Sequence, residues 1–187
     1  MIPTRDECIR LMDQYGMMSH IIDHCIEVTK VALYLAMELN KRGQSIDLGL
    51  VEAASLLHDL TKSESLKTKE DHAQTGSQRL KGMGYVRVGE VVAEHVHLGR
   101  KNDPSLVTEE EIVNYADKRV EHDRIVSLEE RFCDLMDRYG KNQKASEQIE
   151  QLKKATFEIE NKIFSILGID PSDLRHLQLE EDPSIGI

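Results

Sequence analysis

At residues 53–62 the chain reads AASLLHDLTK. The first five residues are small or apolar apart from one serine, and such a run is typical of a helix buried on most sides. The run ends in an adjacent imidazole and carboxylate, His58 and Asp59, which are costly in a dry interior unless they have partners. Neighbouring helical side chains point about 100° apart, so this pair can flank one ion at the helix end. Taken alone, however, the pair favours a capped helix end, with Asp59 solvated and His58 a hydrogen-bonded core histidine.

The positions of the other histidines change that interpretation. The chain has eight histidines, and six of them lie between residues 20 and 97. Several of the six fall on predicted helices whose other inward positions are apolar, and solvated surface histidines are not expected to be distributed in this way. The distribution therefore indicates a polar site inside the fold.

Composition limits the class of protein and its partners. The chain has 187 residues, 40% hydrophobic and 31% charged, which is typical of one globular domain large enough to enclose a site. No apolar run approaches the roughly 20 residues that span a membrane, and the first residues lack a signal-peptide layout, so we expect a cytoplasmic protein without a membrane partner. The formal net charge of −10 argues against a nucleic-acid polymer as partner. A small phosphorylated substrate remains compatible if a metal ion supplies positive charge locally.

The three cysteines are Cys8, Cys25 and Cys133, and they show no Cys-x-x-Cys spacing. Neither a disulfide framework nor a thiolate zinc site is indicated. We expect all three to be small core residues.

Apolar residues recur every three to four positions along most of the chain, and strand signals are almost absent. The sequence therefore predicts an all-α helical bundle with a long C-terminal helix. We divide it into a metal-binding helical domain, 1–140, and a C-terminal helical extension with an acidic tail, 141–187, packed on the same domain. The long amphipathic helix is expected to cover the core, and its alternative use is the seam of a homodimer.

The predicted element boundaries follow from apolar periodicity and from cap residues. Asp71 is expected to cap its helix, and Thr108 and Ser127 to open theirs with capping boxes. A polar loop is predicted at 61–69 and a short helix at 171–179. The other predicted helices cover 4–14, 19–41, 47–58, 71 to 82 or 84, 86–97, the segment from 108, the segment from 127 to 140, and 142–167.

Six inward polar residues share the chemistry of metal ligands. Imidazole nitrogen and carboxylate oxygen without thiolate suit a divalent first-row transition metal such as Fe, Mn, Zn, Ni or Co, bound as one or two ions. Asp59 is able to bridge two such ions. On a helix His95 shares a face with apolar residues and His97 lies about 200° away, so His95 is favoured over its rival. The six candidates are His24, His58, Asp59, His72, His95 and Asp117.

Three segments of the chain together resemble a known family. They read HCIEVTKVA at 24–32, LLHDLTK at 56–62 and NYADK at 114–118. Their order is similar to the His…His–Asp…Asp pattern of the HD-domain metal-dependent phosphohydrolases, over about residues 17–125. DHAQTG at 71–76 and AEH at 93–95 resemble the two extra histidine motifs of the members that hold two metals, including small bacterial hydrolases of dinucleotide polyphosphates.

The resemblance implies an HD-domain-like helical fold and a role for each candidate. His24, His58, Asp59 and Asp117 would hold a first metal, and His72 and His95 a second, with Asp59 shared. Asp59 and Lys62 would be the catalytic residues, Lys62 because it matches the family's lysine that contacts substrate phosphate. Lys118 and Arg119 are further candidates for holding phosphate oxygens. The chain departs from the common His–Asp–Ile–Gly, because it has leucine and threonine at 60–61.

From these observations we expect a metal-dependent phosphohydrolase. It would cleave a phosphomonoester or phosphoanhydride bond of a nucleotide-like metabolite through metal-activated water. Two alternatives stay open: a ligand-binding or signalling module without catalysis, and a di-iron oxygenase on the same fold. A module without catalysis is expected to have lost some of the metal ligands. Because all six candidates are present, catalysis is favoured.

Overall fold

The computed structural model of the protein describes residues 1–99, 103 and 105–175. The fold in these residues is all-α, as predicted, with one short antiparallel hairpin formed by β1, Val120–Glu121, and β2, Arg124–Ile125. A 3-10 helix, Pro171–Arg175, follows the last α-helix. The α-helices are α1 Arg5–Gln14, α2 Ser19–Lys41, α3 Leu48–Leu57, α4 Lys62–Thr68, α5 His72–Gly82, α6 Val86–Ala93, α7 Glu109–Arg119, α8 Leu128–Tyr139 and α9 Gln143–Leu167.

The helices begin at residues that satisfy free backbone N–H groups. The capping boxes predicted at Thr108 and Ser127 are confirmed, since both the side-chain and the backbone hydrogen bonds of each box are present. Asp71 accepts hydrogen bonds from the N–H groups of Ala73 and Gln74 at 2.9 and 3.2 Å, and so caps α5 as predicted. Because His72 directly follows this cap, the cap fixes where the side chain of His72 lies.

Two local predictions are wrong, and one short element was not predicted. Residues 61–69 were expected to form a loop, but α4 lies there as an exposed helix without a buried residue, so it has no apolar stripe for a periodicity argument to detect. The helix predicted at 86–97 ends at Ala93, because Glu94 leaves the helical conformation and its N–H bonds to Val91 O and Val92 O. The hairpin went unpredicted because each strand has two residues, too few to show an alternating pattern.

The core consists of two groups of buried side chains. One joins parts of α2, α7, α8 and α9, and the other joins α1, α3, α5 and α6 with the first turns of α2. Gly89 allows α6 to approach α5 closely, since a Cβ there would lie 2.8 Å from Ser77 O. Cys8 and Cys25 are buried as predicted, whereas Cys133 is exposed on α8 and that prediction is wrong.

The C-terminal helix belongs to the first group of core residues. Ile159, Ile163, Phe164 and Leu167 on α9 are buried there beside residues of α2 and α7. The boundary at 140–141 and the dimer seam stay predictions. The acidic tail and the second half of the helix predicted at 171–179 lie outside the described residues. Within the described part of the chain, no helix is long and apolar enough to cross a membrane.

Candidate metal centre

Four of the predicted ligands converge from three helices. His24 comes from α2, His58 and Asp59 follow the last turn of α3, and Asp117 comes from the last turns of α7. His24 Nε2 lies 3.1 Å and His58 Nε2 lies 3.6 Å from Asp117 Oδ1. His58 Nε2 is also 3.6 Å from Asp59 Oδ2. The convergence expected from the sequence is therefore observed.

The other two predicted ligands meet the opposite oxygen of Asp59. His72 Nε2 lies 3.2 Å and His95 Nε2 lies 3.6 Å from Asp59 Oδ1, and the two nitrogens are 3.2 Å apart. One ligand atom from each of Asp59, His72 and His95 falls within 4.8 Å of the others, as it does for His24, His58 and Asp59. Asp59 is common to both sets. Of the two rival histidines, His95 lies in the cluster, whereas His97 lines a pocket against α9.

Three of the imidazoles are oriented by backbone carbonyl groups. Nδ1 of His24 lies 2.9 Å from His122 O, Nδ1 of His58 lies 2.7 Å from Ser55 O, and Nδ1 of His95 lies 2.7 Å from Val92 O. A carbonyl only accepts, so each Nδ1 carries the proton and donates it. This leaves each Nε2 facing the cluster, which is the arrangement in which protein histidines bind metals. In both His58 and His95, Nδ1 donates to the carbonyl group of the residue three positions earlier, at the end of a helix.

Two atoms at the middle of the cluster lack a hydrogen-bond partner. Among the described residues, His58 Nε2 and Asp59 Oδ1 are buried side-chain atoms of the cluster without one. A buried polar atom without a partner costs free energy, and a bound cation would satisfy both atoms. The donor set of four imidazoles and two carboxylates fits one or two first-row divalent ions. The metal-ligand assignment of each residue stays a prediction.

The electrostatics keep the carboxylates anionic. Burial raises the pKa of Asp59, but its neighbours His58 and Lys62 hold it well below its ordinary value. Burial also raises the pKa of Asp117, but the Lys118 ammonium is the main influence that holds this pKa well below its ordinary value. Burial lowers the pKa of His95 to about 4, so this imidazole is neutral at pH 7 and has a lone pair to donate.

Both lysines that are predicted to bind phosphate lie at the cluster, but one is partly exposed and the other is buried. Lys62 Nζ lies 2.8 Å from Asp59 Oδ2, and its side chain is 39% exposed. Lys118 is buried, and its Nζ donates to His95 O at 2.5 Å and to Asp117 Oδ2 at 2.9 Å. Lys62 thus lies at the open edge of the cluster, while Lys118 supports two of the ligands from within.

Arg119 does not lie at the cluster, and its prediction as a phosphate-binding residue is wrong. Its side chain is 2% exposed, and Nε donates to Val126 O at 2.7 Å while Nη2 donates to Pro171 O at 3.1 Å. Nη1 contacts the Tyr115 hydroxyl and the Glu160 carboxylate. Arg119 is two residues beyond Asp117 on α7, which turns it by about 200° toward α9.

Sequence reasoning missed residues that support the ligands. Thr61, at the position of the family's glycine, is buried and donates from Oγ1 to His72 O at 2.9 Å. Asn114 donates from Nδ2 to Glu94 O and His95 O at 2.9 and 3.0 Å. The only available signal was that Asn114 precedes Asp117 by one helical turn, which places both on one face.

Comparison with known proteins gives relatives of low identity. A tRNA (cytidine(56)-2'-O)-methyltransferase of Picrophilus torridus is 28% identical over 186 residues, covering 92% of this chain and 50% of that protein. A protein of the same name from Thermoplasma volcanium is 27% identical over 168 residues, covering 82% of this chain and 46% of that protein. The chain thus spans about half the length of these two relatives. An uncharacterized protein of Methanocaldococcus jannaschii is 27% identical over 149 residues, covering 70% of this chain and 83% of that protein. No solved structure matches the chain significantly.

The family comparison agrees with the geometry of the cluster. The HD domain matches residues 21–142, which include all six candidate ligands. The matched range starts just before His24 and ends directly before α9, so the whole of α9 lies outside it. The chain belongs to the HD domain family, within the metal-dependent phosphohydrolase superfamily.

Proposed function

We propose that this protein is a metal-dependent phosphohydrolase that cleaves a phosphomonoester or phosphoanhydride bond of a nucleotide-like metabolite. The observation that carries the proposal is the position of Asp59 between two sets of imidazoles, with one carboxylate oxygen facing each set. Such a shared carboxylate would let each set of residues hold one ion, and the two ions would supply positive charge to a phosphoryl group.

Some residues of the cluster are buried and exclude water, whereas others are exposed and accessible to a substrate. A divalent cation held by the cluster supplies a Lewis acid and a nucleophilic water at neutral pH. His58, Asp59 and His95 are at most 1% exposed, so they shield the inner side of the cluster from bulk solvent. His72 and Lys62 have side chains 24% and 39% exposed and form the edge that a substrate can approach.

Lys62 is the residue that we assign to the substrate phosphate. Its Nζ lies 2.8 Å from Asp59 Oδ2. A cation bound by that carboxylate would repel the ammonium unless a further anion lay between them. A phosphate oxygen meets that requirement and accepts a charge-assisted hydrogen bond from Nζ. Lys118 has its ammonium engaged with His95 O and Asp117, so we assign it a supporting role.

The proposed substrate is a small molecule rather than RNA. Two relatives are named tRNA methyltransferases, but the chain spans about half of their length, and the cluster described above is a set of candidate metal ligands. The formal net charge of −10 opposes binding of a polyanion over a broad surface. Negative charge on one small phosphate is matched locally by Lys62 and by bound metal.

The test combines a metal count with a substrate screen. Protein purified without chelator is analysed for transition metals, and phosphate release is then measured from a panel of phosphomonoesters, phosphoanhydrides and nucleotides. The proposal expects one to two ions per chain and metal-dependent phosphate release from at least one nucleotide. Bound metal without release from any substrate would support the ligand-binding module instead. An iron pair with oxygen consumption would support the oxygenase.

A further inference from the structure

A pocket lies next to the segment that carries His95, because Asn114 lines it and donates to His95 O. It has a volume of about 290 Å³ and lies between α9 and the segment that follows α6. This volume is close to the roughly 300 Å³ at which small-molecule pockets begin. None of the described residues that line it is an acid, a lysine or an arginine, and those that matter here are His97, Asn114, Gln148, Gln151 and Ala155.

Asn114 presents an unused hydrogen-bond acceptor to this pocket. The residue is 1% exposed, and its Nδ2 donates to Glu94 O and to His95 O. Both partners are carbonyl groups, so the amide nitrogen must face them, and Oδ1 receives no hydrogen bond from the described residues. Oδ1 is therefore the amide atom that remains to accept from a ligand N–H in the pocket.

The opposite wall of the pocket offers matching groups. Gln148 and Gln151 lie one turn apart on α9, both exposed, and neither is hydrogen-bonded within the described part of the chain. A carboxamide provides one donor and one acceptor side by side, which fits the paired donor and acceptor on the edge of a nucleobase. The ring of His97 adds a flat surface on which such a base can stack.

The pocket and the metal cluster share the segment around His95. Asn114 contacts the backbone of His95 directly, and Lys118, one turn further along α7, donates to the same carbonyl oxygen. His97 lines the pocket and follows His95 by two residues, so the segment from His95 to His97 runs from the cluster to the pocket.

We propose that this pocket binds the nucleobase of the nucleotide whose phosphate reaches the metal centre. The inference rests on the proposed function and names its substrate class more closely. Because α9 lies outside the residues that match the HD domain, the wall with the two glutamines is added to that domain and selects the base. Asn114 and the two glutamines are the specificity-determining residues.

The first test compares substrates that differ only in the base. The metal-loaded enzyme is assayed with ribonucleoside 5′-monophosphates and with ribose 5-phosphate, which has the phosphate and the sugar but no base. Ala155→Trp fills the pocket from an exposed helical position, and Lys154→Trp on the same exposed helix surface is the matched control. We expect Ala155→Trp to raise KM for the best nucleotide at least about 10-fold, with ribose 5-phosphate and the control unaffected. Equal kinetics of the parent and Ala155→Trp on all substrates would overturn the inference and leave the phosphohydrolase intact.

The second test does not depend on catalysis. Unphosphorylated ribonucleosides are added to ¹⁵N-labelled protein, and the side-chain amide signals of Gln148 and Gln151 are followed. Each signal is identified by its loss in Gln148→Leu or Gln151→Leu. Saturable shifts of these signals with at least one nucleoside support the pocket even if no phosphate is released, in which case the proposed function fails and the binding site stands. Absence of shifts with every nucleoside overturns the inference.

Discussion

Lys62 lies at the edge of the cluster, where a substrate and a metal would meet. We expect Lys62→Ala to retain the metal content and thermal stability of the parent and to lower turnover by about 10- to 100-fold, equivalent to about 1.4 to 2.7 kcal/mol of transition-state stabilisation. The reason is that Lys62 contacts Asp59 from the outer side and is itself no metal ligand. Steady-state kinetics and metal analysis are measured on the same preparations.

Two further variants make the Lys62 result interpretable. Lys67→Ala, at an exposed position of the same helix α4, is the control and should behave as the parent. Asp59→Ala should lose metal and activity together, because both sets of imidazoles share that carboxylate. Full activity of Lys62→Ala on the best substrate would make this lysine a solvated charge and end its assignment to phosphate.

His122 holds a strained backbone conformation that orients a candidate ligand. Its φ is +58°, at the turn of the hairpin, and its carbonyl oxygen accepts from His24 Nδ1. Glycine adopts this conformation without steric cost, so His122→Gly should keep the metal and stay within about 1 kcal/mol of the parent stability. His122→Val should lose about 1 to 2 kcal/mol and weaken metal binding about 10- to 100-fold.

Urea unfolding and metal titration check both variants of His122. Asp123→Val, at the next exposed position and without a positive φ, serves as the control and should change stability less. If His122→Val binds metal as tightly as the parent, the hairpin carbonyl does not position His24.

At the residue scale, the sequence predicts which side chains meet and misses how they are supported. His24 and Asp117 stood out because each interrupts an apolar stripe, and an inward polar residue needs a partner. Arg119 was assigned to phosphate from its place beside the motif, but helical rotation turns it toward α9, and its partners Glu160 and Pro171 are more than 40 residues away. Contacts of that separation have no local signal in one sequence.

At the element scale, α9 is a structural part of the domain although it lies outside the family match. Ile163 is fully buried against residues of α2 and α7. We expect Ile163→Ala to lower the free energy of unfolding by about 2 to 5 kcal/mol, because the cavity left in a packed core is only partly filled. Lys154→Ala, exposed on the same helix, should stay within about 0.5 kcal/mol. Unfolding in urea followed by circular dichroism measures both, and parent-like stability of Ile163→Ala would show that α9 is not part of the cooperative unit.

Element boundaries were predicted well where a cap or an apolar stripe was present. The starts at Thr108 and Ser127 are set by local hydrogen bonds that the sequence shows directly. The end of α6 at Ala93 depends instead on tertiary contacts, since the carbonyls of Glu94 and His95 are held by Asn114 of α7. His95 therefore reaches the cluster from a turn rather than from the helical face on which the sequence placed it.

At the scale of the whole molecule, burial of titratable groups fixes how stability responds to alkaline pH. Burial raises the pKa of the Cys8 thiol to about 12, with Glu52 and Glu7 adding to the effect, from an ordinary value of 9.0. Burial also raises the pKa values of Cys25 and Tyr115. Between pH 9 and 12 the unfolded chain releases the Cys8 proton while the folded chain keeps it. The folded state then binds more protons, so its stability falls as the pH rises through this window.

The size of this effect is measurable on one thiol. A single group with these two pKa values lowers the free energy of unfolding by about 1.4 kcal/mol at pH 10 relative to pH 7. We expect Cys8→Ala to remove that share, so that its urea midpoint falls less steeply from pH 8 to pH 10 than that of the parent, whatever its stability at pH 8. Cys133→Ala is the control, because this thiol is exposed and should leave the pH dependence unchanged. If the urea midpoint falls equally steeply with pH for Cys8→Ala and the parent, the thiol at position 8 ionises as easily in the folded protein as in the unfolded chain. In that case α1 does not exclude water from this end of the core.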